Sequence, residues 1–144
     1  MEIERRAVVR ACRPSEIANV LELWRKSRDG VGRTDDPPSL RRLRERDQGA
    51  LLVAELDDRI VGSLIAAWDG WRGNMYRLTV HPGYRRRGVA RRLIAKGEER
   101  LRAAGAKRIS ALVWTADEAA VSAWLSAGYE QDEGTGRFVK TVPD

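Results

Sequence analysis

The sequence predicts a mixed α/β layer of about seven strands and four helices. Three observations predict it. Apolar residues recur at helical spacing in four segments, β-friendly runs are broken by short polar turns, and a strand–helix–strand unit near the middle implies a crossover between parallel strands. No repeat, low-complexity tract or long linker interrupts the 144 residues, so one domain over 1–144 is expected.

The elements follow in order. Residues 6–11 form a short apolar run with strand character, and Ser15 can cap a helix that turns Ile17, Val20, Leu21 and Trp24 inward. Gly30, Gly32, Pro37 and Pro38 mark a connection placed to overhang a substrate site, and Ser39 can cap a second helix carrying Leu40 and Leu43. Residues 50–56 and 59–68 read as a hairpin about the Asp57-Asp58 turn, followed by a loop at 69–73 and a strand at 75–80. A long helix over 88–103 leads to a strand over 108–114. Thr115 and Glu118 have capping-box spacing ahead of a helix with Val121, Trp124 and Leu125 on one face, and short strands at 129–132 and 137–142 close the chain.

Composition excludes several classes. No window approaches the roughly 20 apolar residues of a membrane span, and the first 13 residues lack the apolar segment of a secretory signal, so a cytoplasmic protein is expected. One cysteine, Cys12, and one histidine, His81, make neither a disulfide framework nor a cluster of soft metal ligands. The formal charge of +6 raises nucleic-acid binding as a third possibility, but arginines interleaved with acids, as at 41–47, read as a solvated helix face.

The exception is the segment Leu78-Thr79-Val80-His81-Pro82-Gly83-Tyr84-Arg85-Arg86-Arg87-Gly88-Val89-Ala90-Arg91, which passes from strand to loop to helix. A helix start leaves about four N–H groups without internal partners and carries partial positive charge, so it accepts phosphate oxygens directly. Gly88 and Ala90 keep the approach open, and Arg85, Arg86, Arg87 and Arg91 add charge around it, so that a pyrophosphate fits. The segment lacks both the lysine and hydroxyl of a P-loop and the full G-x-G-x-x-G of a dinucleotide fold. A plain Pro82-Gly83 turn with arginines solvating a helix end is the alternative on loop chemistry alone.

Arg85, Gly88 and Ala90, preceded by Val80-His81-Pro82, resemble the signature of the GNAT acetyltransferases, and the order of strands and helices matches that family across nearly the whole chain. Asp69-Gly70-Trp71-Arg72-Gly73 is further similar to a turn in bacterial members related to ribosomal-protein alanine N-acetyltransferases. The resemblance implies a mostly antiparallel sheet with splayed central strands, and one N-acetyltransferase domain over 1–144. It implies a cosubstrate, acetyl-CoA, without a metal, and transfer to a primary amine of a small molecule, peptide or protein N-terminus. Leu78, Thr79 and Val80 would meet the pantetheine arm, while Arg85, Arg86, Arg87, Gly88, Val89, Ala90 and Arg91 would surround the pyrophosphate, with Asp117 also on the cofactor side. Trp24, Asp69, Trp71 and Tyr76 would line the acceptor pocket, although Trp24 also suits plain packing and Asp69 a turn cap. The expected partners are acetyl-CoA and the amine, in a monomer or homodimer.

The sequence departs from the family in two respects. Asn74 stands where some members carry a glutamate base, and Asp117 and Trp124 occupy the places of an asparagine and an acid tyrosine seven residues apart. Neither an amide nor an indole exchanges a proton usefully at working pH. No catalytic residue is therefore assigned, water-mediated deprotonation is expected, and a non-catalytic acyl-CoA-binding module is the alternative function.

Overall fold

Five strands form the sheet of the computed structural model, which describes residues 5–27 and 32–143; Gly30 of the expected connection lies outside the described residues. The strands β1 (Val8–Ala11), β2 (Leu51–Leu56), β3 (Arg59–Trp68), β4 (Gly73–Val80) and β5 (Ile109–Ala111) lie side by side in chain order. The first four pair antiparallel and the last two parallel. The helices are α1 (Ile17–Arg25), α2 (Pro37–Arg46), α3 (Val89–Ala104) and α4 (Glu118–Ser126).

The β2–β3 hairpin forms where the sequence places it. Asp57 and Asp58 both take left-handed dihedrals, φ 54° and 58°, which match the twist of the flanking strands. Because α3 carries the chain back over the sheet, β5 enters parallel to β4, as the strand–helix–strand pattern implies.

Both faces of the sheet are covered, which is why β2 is buried along nearly its whole length. Alternate residues serve opposite faces: Leu52 and Ala54 join Leu64, Met75, Leu93, Leu101 and Trp124 beneath α3 and α4, whereas Leu51 and Val53 join Val20, Leu21, Trp24 and Leu40 beneath α1 and α2. The long helix α3 approaches closely because its contacts are glycines. A Cβ on Gly62 would lie 2.9 Å from Val89 Cγ1 and 3.2 Å from the Thr79 carbonyl, and one on Gly97 would lie 3.0 Å from Leu64 and Met75. These two contacts set the height of α3 above β3 and β4, and with it the position of the helix start.

Several expectations are corrected. The sheet has five strands among the described residues, and residues 129–143 form none. There the chain satisfies itself locally: Asp132 accepts the Gly134 N–H at 3.1 Å and the Thr135 hydroxyl at 2.9 Å, a side-chain turn that competes with strand pairing. The fifth strand is also shorter than its apolar run, ending at Ala111 rather than 114.

The helix caps differ too. Asp36, not Ser39, caps α2, accepting the Ser39 N–H at 2.7 Å, with Pro37 at the first helical position, where its missing N–H costs nothing. Asp117, not Thr115, caps α4 through the Ala120 N–H at 3.1 Å. Ser15 lies within a 3-10 turn over Pro14–Glu16, and Glu16 receives the Arg13 N–H at 2.8 Å. Leu125 faces solvent rather than the core.

Arg10 ties β1 to the start of α1 by donating twice to the Glu16 carboxylate, at 2.7 Å each. That pairing, more than the Arg13 N–H, holds the Glu16 pKa down at about 2 from an ordinary 4.5 against the opposing effect of burial. A depressed folded-state value stabilises the fold above pH 4.5 and loses that contribution as pH falls toward 2. Glu16→Gln is therefore expected to lower stability at pH 7 and to flatten the dependence of the denaturation midpoint between these pH values; an unchanged acid slope would refute this role.

Candidate functional site

The site begins as a break in the sheet. Pairing between β4 and β5 runs through Gly73 with Ile109, Asn74 with Ser110 and Met75 with Ala111, and ends there, apart from the Leu112 N–H donated to the Met75 carbonyl at 2.9 Å. One residue later β4 bulges. Tyr76 is opposite Ile65 and Thr79 opposite Ser63, so β4 holds one residue more than β3 in this interval, and Arg77 takes a φ of 57°. Beyond the bulge β4 stays with β3, where the His81 N–H donates to the Val61 carbonyl at 2.7 Å. Strand alternation then turns the N–H and C=O groups of Leu78 and Val80 away from β3, toward the side that β5 has left. A wedge lined by backbone opens between the two strands.

At its end lies the start of α3. A 3-10 turn over Pro82–Tyr84 follows β4, with His81 Nδ1 accepting the Gly83 N–H at 3.0 Å. Burial first, then the nearby positive charges of Arg59 and Lys26, lower the His81 pKa, which keeps the ring neutral and able to accept that bond. Gly88 caps α3 with a φ of 75°, and nothing lies within 4 Å of where its Cβ would be. Gly88 is exposed and makes no side-chain cap, so the first N–H groups of this helix, four turns long, lack a capping side chain. Arg85, Arg86, Arg87 and Arg91 are exposed around this point, and among the described residues no carboxylate pairs with them. Val89 is buried against the sheet, and Ala90 is half-buried.

The fold adds a basic residue that the motif does not contain. Arg59, at the start of β3, stands 5.9 Å from the Tyr84 ring, with Arg87 5.2 Å from the same ring and His81 meeting its edge. Arg59 is 26 residues from Arg85 in sequence, and only the β3–β4 pairing reveals its proximity.

The remaining expected residues are placed less uniformly. Tyr76 is partly exposed on β4 beside the bulge. Trp24 is fully buried, its indole N–H donated to Ser63 Oγ at 2.8 Å, so it supports the site from within rather than lining it. Asp69 and Trp71 sit in the β3–β4 turn, at the other end of β4 from Val80, roughly 23 Å along a strand of this length. Asp69 accepts the Trp71 and Arg72 N–H groups at 2.8 and 2.7 Å, which lowers its pKa, and Arg72 stacks 4.0 Å over the exposed Trp71 ring. The Asp117 carboxylate is engaged in capping α4.

At both departures from the family pattern the side chains are held by neighbours. Asn74 Nδ2 donates to Asp69 Oδ2 at 3.4 Å. Trp124 is buried and packs edge-on against Tyr129 at 4.9 Å, while the Tyr129 hydroxyl donates to Glu98 at 3.2 Å. Burial, reinforced by Glu98, raises the Tyr129 pKa and keeps that phenol protonated. Hollows lined by side chains lie elsewhere, one between β1, β2 and α3 and one along α4. The wedge differs in kind, since strand edges rather than side chains border it.

Residues 17–129 match the acetyltransferase (GNAT) family model. The chain belongs to the GNAT acetyltransferase family. An acetyltransferase of Sodalis glossinidius is 34% identical over 126 residues, covering 87% of this chain and 88% of that relative. The fold of this GNAT acetyltransferase is shared with an aminoglycoside N-acetyltransferase in complex with CoA, at a TM-score of 0.72 and 17% identity over 98% of this chain and all of the other. It is shared too with a diaminobutyrate acetyltransferase of Paenibacillus lautus in complex with L-2,4-diaminobutyric acid and coenzyme A, at a TM-score of 0.69 and 20% identity over 86% and 75% of the two chains. The chain is thus an acetyltransferase, as its loop motif implies. The narrower likeness to ribosomal-protein alanine acetyltransferases finds no counterpart in these relatives.

The left-handed Gly88 generates a direct test of the helix start. Gly88→Ala is expected to cost about 1 kcal/mol and Gly88→Asn less, because asparagine tolerates a positive φ better than alanine does. With space around both side chains, the loss would be conformational alone. Urea denaturation measures it, and equal or absent losses for the two variants would contradict the assignment.

Proposed function

We propose that this enzyme transfers the acetyl group of acetyl-CoA to a primary amine of a small molecule, peptide or protein N-terminus by direct attack. The observation that carries this reading is the wedge between β4 and β5, which ends on an open helix start surrounded by four exposed arginines. The residues fit the group. Leu78 and Val80 offer backbone donors and acceptors to an extended amide-containing arm, as an added strand would. The N–H groups after Gly88, with Arg85, Arg86, Arg87 and Arg91, suit a pyrophosphate. When bound, acetyl-CoA supplies an activated acyl group on a thiol leaving group.

The chain's own contribution is binding, orientation and charge stabilisation. The Val80 N–H, directed into the wedge, is the donor for negative charge developing on the acyl oxygen. Proton transfer falls to water, since Asn74 is an amide, Trp124 is buried and Tyr129 is committed to Glu98. A departing thiolate, with a thiol pKa of about 8.5, leaves without a side-chain acid. The acceptor approaches from the face opposite α3, past Tyr76. Residues 1–144 act as one domain, in the cytoplasm, as a monomer or homodimer.

Calorimetric titration with acetyl-CoA, followed by thiol release with a panel of amines and N-terminal peptides, tests the reading. Saturable binding abolished by Gly88→Glu is expected, together with amine-dependent release. Without a side-chain base, kcat/KM should climb with pH until the acceptor amine is neutral, at a pKa of about 8 for an α-amine and 10.4 for a lysine. Binding without release from any amine would leave a non-catalytic acyl-CoA-binding module, and absence of binding would refute the proposal. A plateau well below the pKa of the acceptor amine would reveal a base.

A further inference from the structure

The bulge at Arg77 is held by more contacts than a strand irregularity requires. A φ of 57° is sparsely populated for a residue with a side chain and persists where the surroundings overdetermine it. The Arg77 carbonyl accepts the hydroxyls of Ser63 and Thr79, each at 3.4 Å. Ser63, fully buried on β3, in turn accepts the Trp24 indole N–H at 2.8 Å. The Arg77 guanidinium stacks over that same indole, 4.7 Å from the ring centroid, and is ion-paired with Asp35, its Nε donating to Asp35 Oδ1 at 3.4 Å. Asp35 belongs to the segment just ahead of α2.

This ring of contacts joins the two sides of the sheet. The helix start that suits the pyrophosphate packs on the α3 face, whereas Trp24 lies in the cluster beneath α1 and α2. An acyl group delivered from the α3 side leaves the opposite side for the nucleophile, which must be oriented against it. The Arg77 and Asp35 side chains are only 15% and 8% exposed, and an ion pair so far from water adds little net stability over an apolar pair. What it supplies is a specified arrangement of Asp35 against the bulge.

We propose that Arg77 is a positioning residue for acetyl transfer, and this rests on the acetyltransferase reading above. It fastens the segment at 32–36 to the point where β4 departs from β5, so that the acceptor-side border and the acyl end of the wedge form one coupled element.

The test uses the full chain and three variants. Asp35→Asn keeps the volume of the side chain and removes its charge, Arg77→Met removes the guanidinium, and Arg77→Lys keeps the charge without the planar fork over Trp24. Amide hydrogen exchange is followed at 32–36 and 76–80, and thiol release is followed with a panel of primary amines. Asp35→Asn and Arg77→Met should speed exchange in both segments together, by about tenfold or more, as expected from loss of a charge-assisted hydrogen bond. They should lower kcat/KM for the amine by a similar factor while KM for acetyl-CoA stays within about twofold, with Arg77→Lys partly restoring both readouts.

Faster exchange confined to 32–36 in Asp35→Asn would overturn the coupling. So would equal losses for amine and acetyl-CoA, or an Arg77→Lys as impaired as Arg77→Met. Asp35→Asn carries the test if Arg77→Met does not fold. Should no amine be turned over by the wild-type chain, the acetyltransferase reading fails, and joint exchange in the two segments separates that failure from the failure of the lock.

Discussion

A single left-handed residue in β4 determines how this sheet can be used. Up to Met75 the fourth and fifth strands are hydrogen-bonded in parallel; after Arg77 they are not. A continuous pair would bury the backbone groups of Leu78 and Val80 in a ladder and leave no edge to meet an incoming chain. The bulge interrupts pairing from within, and burial on both faces keeps the parted strands from collapsing elsewhere. Close packing of α3 through Gly62 and Gly97 then brings a helix start to the mouth of the opening. Backbone geometry thus shapes the opening, and side chains add charge around it.

The arginines divide accordingly. Arg10, Arg44, Arg77, Arg92 and Arg100 are internal ties: Arg44 reaches the Cys12 carbonyl, Arg92 the Ala7 carbonyl and Arg100 the Ala66 carbonyl and Asp47. Each links elements distant in sequence with a planar donor that can satisfy several acceptors. The arginines at 85–87 and 91, by contrast, are exposed around the start of α3. A formal charge of +6 in this chain therefore reflects construction in part, and bulk charge alone is a poor guide to its partner.

Local chemistry was the legible part. The strand–loop–helix segment at 78–91, the Asp57-Asp58 hairpin and the helical spacing of Ile17, Val20, Leu21 and Trp24 each depend on neighbours in sequence, and each appears in the structure. The bulge was not legible, because Tyr76-Arg77-Leu78-Thr79 reads as ordinary alternation and contains no glycine. Its partners Trp24, Asp35 and Ser63 are far apart in the chain. The same reason explains Arg59. Caps differ from the sequence pattern where two polar residues compete: Asp36 precedes Pro37, and a proline pair suits the first helical turn as well as a break. Residues 137–142 carry the β-friendly Phe138, Val139, Thr141 and Val142, yet a strand needs an edge, and β5 ends after three residues.

The most direct measurement is a titration of the isotope-labelled protein with CoA, followed by amide chemical shifts. Saturable changes concentrated at Leu78, Val80 and residues 88–91 would place the ligand in the wedge and on the helix start, as the geometry requires. Changes centred instead on the hollow along α4, or none at saturating CoA, would contradict it.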